Sequence, residues 1–439
     1  MPPINKLRTL LSPGRRPGDA GRPADPGLRR LRAALTAFFA LDGLVFAGWV
    51  VRIPDIKEQT GASASALGVA LLGVSAGGVV TMTLTGRLCQ RFGNHPVTVA
   101  AGVVLALSVA LPAHAGSAMA LGVMLLVFGT AFGAVNVASN SAAVDLVVAL
   151  RRPVMPSFHA AFSLGGMLGA GAGGLLAGWL SAAWHLTLLA GAGLLIALVA
   201  GRALLAASPP AAAREAGTEE RPRAERQGAE LRGAERHGAA PDTGRGDGVG
   251  GLLGGPVRRL VLLLGFIALC TTYGEGALAD WSTLHLRESL EAGPGLAAAG
   301  YAVFALAMTI GRLTGSATVE RLGQRRTLVL GGATAAVGML VASLAPTVWL
   351  ALGGFVVTGL GLANIFPITI GRAGQLAGPR GVAAASTLGY GGMLLGPVVI
   401  GFLADWFGLA AALTTVAMLA AVAAMTAFAL RGALQARAW

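Results

Sequence analysis

Residues 163–179 read SLGGMLGAGAGGLLAGW, and residues 387–406 read TLGYGGMLLGPVVIGFLADW. Both pass from Ser/Thr-Leu-Gly through small residues and Met-Leu to a Gly-x-Leu-Ala-x-Trp close. Working outward, GAVN ending at Asn136 matches GLAN ending at Asn364, and QRFGNHPVTVA from Gln90 matches ERLGQRRTLVL from Glu320. Asp42 with Trp49 is matched by Glu275 with Trp281. Four matches in one order at nearly one spacing mean that the chain is a duplicated unit.

The content of that unit follows from hydropathy. Apolar runs of about 16 to 25 residues recur between short polar breaks, and about 20 residues span ~30 Å of hydrocarbon. Twelve spans are expected, near 31–51, 66–86, 97–113, 117–148, 158–181, 184–206, 258–281, 296–318, 327–345, 347–371, 382–404 and 409–430. The predicted fold is an all-α membrane protein, two pseudo-symmetric six-helix halves at 31–206 and 257–430. An N-terminal tail (1–30), a linker (207–256) and a C-terminal tail (431–439) complete the chain. The linker is rich in Gly and charge and too poor in apolar residues to bury a core, so it is expected to be disordered. Halves that start on the same side are related by an axis along the membrane normal.

Composition agrees. Hydrophobic residues make up 54% of the chain, charged residues only 12%, and mean hydropathy is +0.69. A soluble protein carries roughly twice that charge. The net charge of +13 would suit nucleic acid, but its distribution excludes that use. All but three of the 33 Lys and Arg fall on one side of the twelve-span arrangement, the exceptions being Arg52, Lys57 and Arg287. Basic loops collect in the cytoplasm, which puts both termini there and makes the protein a multi-pass component of the cell's inner membrane. The first apolar run is too long for a secretion signal and is expected to persist as the first helix. Cys89 and Cys270, one in each half, can build neither a disulfide framework nor a metal site.

At this level of detail the chain resembles the major facilitator superfamily of secondary transporters over residues 31–430. Gly86-Arg-Leu-Cys-Gln90-Arg91-Phe-Gly93 is similar to the family's G-x-L-x-D-R-x-G loop, with Gln90 in place of the acid. In the second half, Glu320-Arg321-Leu-Gly323 keeps the acidic residue. WVVRIPDIKEQTGAS, MPSFHAAFSLGGMLGA, YGEGALADWS and GLGLANIFP resemble a branch of bacterial permeases loosely related to fucose:proton symporters. The resemblance implies a central cavity lined by the first, fourth, seventh and tenth helices. It also implies gating by charges at the loops, for which Glu320, Arg321 and Arg91 are the candidates.

Asp42 lies about 15 Å along the first helix from Arg32, near mid-membrane. An acid there costs about 2.5–3.5 kcal/mol, so it faces a watery cavity or a partner. A carboxyl group that gains and loses a proton is what a proton-coupled carrier requires, and Asp42 and Glu275 are the candidates. The alternative for each is a packing role: backbone or Ser/Thr bonds for Asp42, a salt bridge for Glu275. Asn136 and Asn140 share a face of the fourth helix, and Asn364 repeats Asn136 in the tenth. Their amides suit hydroxyl- or amide-bearing substrates, or else hold helices together. Trp49 and Trp281 read as outer-interface anchors, and Trp281 is placed among the substrate contacts as well. His159, at the inner end of the fifth helix, is a gating candidate. Asp145 is expected to pair locally with Arg151, Asp280 to sit in the headgroup zone, and Pro367 and Pro397 to bend their helices.

No enzyme constellation, cofactor motif or metal cluster occurs. The expected function is secondary active transport of a small molecule, coupled to protons, by a monomer rocking about a central site. Drug or secondary-metabolite efflux by proton antiport is the alternative within transport. A membrane sensor that kept the fold is the alternative outside it.

Overall fold

A computed structural model describes residues 26–150, 154–206 and 255–430. The predicted C-terminal tail lies outside them, as do all but 26–30 of the N-terminal tail and all but 255–256 of the linker; residues 26–30 and 255–256 begin helices. Among the described residues the helices make up twelve spans. In the first half they are Pro26–Val50, Ala64–Phe92, Asn94–Ser108, Ala118–Leu150, Met155–Leu176 and Ala182–Ala206. The second half opens with Gly255–Glu288 and Pro294–Leu313 and closes with Leu409–Ala429. Between them, Gly315–Ser343, Val348–Leu362 and Ile365–Phe407 make up the rest.

The repeat is visible in the backbone. Gly93, between the second and third spans, has φ 88° and ψ 156°; Gly323, its sequence counterpart, has φ 78° and ψ 157°. That region is open almost only to glycine, at a cost of about 1–3 kcal/mol for other residues. A reversal that the duplicated unit needs is thus fixed by one residue type in both copies.

Several boundaries differ from expectation, each for a local reason. The loop after the first span folds into a short helix, Ile53–Thr60, with Pro54 in its first turn and Gly61 in the left-handed region at its end. The tenth span is broken: Val348–Leu362 stops, and the helix restarts at Ile365. Pro367 therefore lies in a first turn, where a missing N–H costs nothing, and marks a restart instead of a bend. The tenth and eleventh spans then meet at Ala377–Gly378, where Gly378 has φ 58°.

The most extensive pairings are inside each half: second with fourth and first with fifth, seventh with the tenth and eleventh, ninth with tenth and twelfth. The first and fifth spans touch backbone to backbone. A Cβ at Gly43 would meet the Phe162 carbonyl oxygen at 1.9 Å, and one at Gly165 would meet that of Ala40 at 2.0 Å. The halves meet along two seams, second span against eleventh and fifth against eighth. The first and seventh spans are the most buried. Their tryptophans follow: Trp49 and Trp281 are 1% and 0% exposed, so both are core residues and not interface anchors. Trp49 packs on Phe128, with ring centroids 6.3 Å apart.

Candidate functional site

A cavity of about 600 Å³ lies between the halves, within the size range of small-molecule sites. Its walls are mostly apolar and aromatic, and its polar groups are few and placed by helix periodicity. On the eighth span Tyr301, Ala305, Thr309 and Arg312 share one face and line it. On the fifth, His159, Ser163 and Gly166 do the same. The seventh contributes Glu275, Gly276, Ala279 and Asp280, and the fourth Phe132, Gly133 and Asn136. The first, second and eleventh spans complete it.

Glu275 and Arg312 form an ion pair at 3.0 Å, joining the seventh span to the eighth; the glutamate side chain is 18% exposed and the arginine 51%. The second Glu275 oxygen has no partner. Asp42 lies behind the wall: it is 2% exposed and sits against the Asn136 side chain, and its Oδ1 has no hydrogen-bond partner. Asn136 separates it from the cavity. The adjacent Gly43 lets the fifth helix close over it.

The other candidates are distributed as follows. Asn140 donates to the Asn136 carbonyl at 2.8 Å, one turn away on its own helix. Asn364 donates to the Gly311 carbonyl at 2.9 Å and ties the tenth span to the eighth. Its amide fills the space at Gly315, so it acts here as helix glue. Among the described residues the tenth span supplies no cavity lining, against the expectation of four lining helices; the second, fifth, eighth and eleventh join the first, fourth and seventh. Trp281 is sealed in the core and also stands outside the lining. His159 is exposed at the cavity wall, its ring edge-on to Phe39 at 5.6 Å. Glu320, Arg321 and Arg91 are exposed, and Arg91 lies over the Phe92 ring at 5.2 Å. Asp145 accepts from the Asn94 amide at 2.7 Å, while Arg151 lies outside the described residues.

Two residues missing from the sequence-based site belong in it. Asp280, expected in the headgroup zone, lines the cavity. Arg312 pairs with Glu275 and also lines the cavity. The signal for Arg312 was the polar stripe Tyr301, Thr309 and Arg312 at helical spacing in an otherwise apolar span.

The halves are tied at the cavity end remote from the linker. Asp405 accepts from the Ala64 and Ser65 N–H groups at 2.9 and 3.0 Å, and Lys57 pairs with Glu288 at 2.6 Å. Glycines bring the helices close at the same end, Gly68 against Pro397 and Gly295 against Gly174.

This duplicated twelve-span frame can be compared with known proteins. The profile of the Major Facilitator Superfamily matches residues 34–313 and 264–437. An uncharacterised MFS-type transporter of Yersinia pestis is 34% identical over 405 residues, 92% of this chain and 96% of its own. The chain belongs to the major facilitator superfamily. It is therefore a multi-pass membrane transporter, a carrier and not an enzyme. An uncharacterised transporter of Sinorhizobium fredii is 30% identical, covering 84% of this chain and 90% of its own. Among solved structures, the nucleoside transporter NupG superposes with a TM-score of 0.69 at 13% identity, over 91% of this chain and 99% of its own. An inward-facing bacterial homologue of the lysosomal transporter Spinster gives 0.68 at 14% identity, over 93% and 98%. A D-xylose–proton symporter gives 0.67 at 14%, over 91% and 97%. At such identities these superpositions speak for the superfamily fold.

Proposed function

We propose that this superfamily member is a proton-driven carrier of a small organic molecule, working by alternate opening of the central cavity to the two membrane faces. What carries the reading is a pair of carboxylates at the central cavity: Glu275 in the wall, paired with Arg312, and Asp42 behind Asn136. Acids at membrane depth are expensive and mark substrate or proton pathways. With both termini cytoplasmic, as the Lys/Arg asymmetry requires, the tied end is the outer one and the cavity faces the cytoplasm.

A proton on Glu275 cancels the charge that Arg312 answers, so the ion pair loosens and Arg312 is released toward the cavity. Asp42 stores a proton one side chain away, with Asn136 sensing its state through their contact. His159 lies beside the inner mouth, and Glu320, Arg321 and Arg91 are available to close it when the halves rock. The fold accommodates such coupling, since one of its structural neighbours is a sugar–proton symporter.

A thermal-shift screen of metabolites and antibiotics on purified protein identifies ligands, because binding to the folded state raises apparent stability by RT ln(1 + [L]/Kd). In proteoliposomes an imposed pH gradient is then expected to drive concentrative movement of the hit. Equilibration at a rate indifferent to the gradient would leave a carrier and remove the proton.

A further inference from the structure

The inner walls of the cavity are not electrically balanced. Glu275 is answered by Arg312, but Asp280 has no such answer: among the described residues no Lys, Arg or His pairs with it. Next to it stands a group of rings. Tyr301 is near enough to Asp280 to interact electrostatically with its carboxylate. Its ring meets Phe46 edge-on at 6.2 Å, and Phe46 stacks on Phe132 at 5.0 Å. Tyr301, Phe46, Phe132 and Asp280 all line the cavity.

We infer that this part of the cavity binds an organic cation with an apolar or aromatic body, with Asp280 as its anionic partner and the rings of Phe46, Phe132 and Tyr301 around it. The inference rests on the transport reading above and names its substrate class. Aromatic faces carry negative electrostatic potential and attract cations, most strongly where water is excluded. A lone carboxylate in a low-dielectric wall keeps its charge only beside a counter-charge and otherwise takes up a proton, and a bound cation provides that counter-charge. An anionic substrate would meet Asp280 beside these rings, because the cavity's arginine, Arg312, is taken up by Glu275. Beside these rings a neutral polyol would find only the Tyr301 hydroxyl and the Asp280 carboxylate to bond.

Three probes of one shape but different charge separate the possibilities: benzyltrimethylammonium, benzyl alcohol and benzoate. Binding to the full-length protein in nanodiscs at fixed pH, with no gradient, is expected for the first and weakest for benzoate. Asp280→Asn should weaken benzyltrimethylammonium at least tenfold, while Asp280→Glu retains most of its affinity and Tyr301→Leu loses several-fold. Asp280→Glu also controls for folding, since it changes length but not charge. No discrimination by charge, no binding of any probe, or an Asp280→Asn protein that binds as wild type overturns the proposal. Each of these outcomes leaves the transport reading standing, because gradient-driven movement of a screened ligand is measured separately.

A second inference comes from the seams. At the second–eleventh seam, the Asp405 carboxylate receives the first-turn N–H groups of Ala64 and Ser65. The duplication places Gly178 opposite Asp405, and Pro294 and Gly295 opposite Ala64 and Ser65. The fifth–eighth seam therefore has no carboxylate where its twin has one, and at Pro294 no N–H to receive. It is also made of glycine surfaces, Gly174 against Gly295. We propose that Asp405 is the latch of the second–eleventh seam at the tied end. A negative charge at a helix N-terminus is favourable, and breaking it loosens this end, leaving the Lys57–Glu288 pair as its remaining polar tie. Spin labels at Glu58 and Glu291, after Cys89 and Cys270 are changed to Ser, report the separation of the halves there. Asp405→Ala is expected to raise the long-distance population several-fold, with Asp405→Glu closer to wild type. An unchanged distance distribution in Asp405→Ala overturns the latch.

Discussion

Asp42→Asn is expected to abolish pH-gradient-driven transport while leaving folding and ligand binding largely intact. Asn keeps the shape of Asp and its hydrogen bonding toward Asn136, but holds the position neutral through the cycle. Asp42 is 2% exposed and does not line the cavity, so its loss removes no ligand contact. Accumulation in proteoliposomes should fall to the level seen without a gradient, while thermal shifts by ligand persist. A packing role gives the reverse pattern: a lower melting temperature with normal coupling in whatever protein survives. Gradient-driven transport at wild-type rate by Asp42→Asn would transfer the proton to Glu275, whose Gln variant should lose ligand affinity too through release of Arg312.

The second large effect is steric. Gly165→Leu puts a side chain where even a Cβ would stand 2.0 Å from the Ala40 carbonyl oxygen, a backbone atom that cannot rotate away. The first and fifth spans must separate, unpacking the region around Asp42. Overpacking of this kind costs about 1–3 kcal/mol or more. The control lies in the same helix: Gly171 is exposed and has no atom within 4 Å of its would-be Cβ. Gly165→Leu is expected to reduce membrane abundance severely or lower the melting temperature by many degrees, with Gly171→Leu close to wild type. Equal melting of the two would mean that the helix pair yields without cost.

The duplication and the spans were legible because they rest on the two strongest signals a membrane sequence carries, unbroken hydropathy and a fixed repeat offset. Gly93 and Gly323 show how far that reached, since aligned letters became matching backbone angles. The site was read in part. Glu275 stood out as a charge in hydrocarbon, but its partner Arg312 is near a helix end, where an arginine has an easy alternative in the headgroups. Asp280 was discounted for its neighbour: Trp281 looked like a surface anchor until packing buried it. Asn364 matched Asn136 in sequence yet does different work, because the tenth helix breaks just before it and turns its amide to Gly311. A repeat copies residues, and only the packing of neighbouring helices decides which copy faces the cavity.

The concentration of helix pairing inside each half bears on how the protein is made. The first span finds its main partner in the fifth and the second in the fourth, so the leading half satisfies its close contacts before the seventh span has been synthesised. The trailing half, with its own seventh–eleventh and ninth–twelfth pairs, then docks as a finished body along two narrow seams. Biogenesis of this carrier is expected to be an assembly of two completed parts, in which the surfaces that meet last are the ones that part in the transport cycle proposed above.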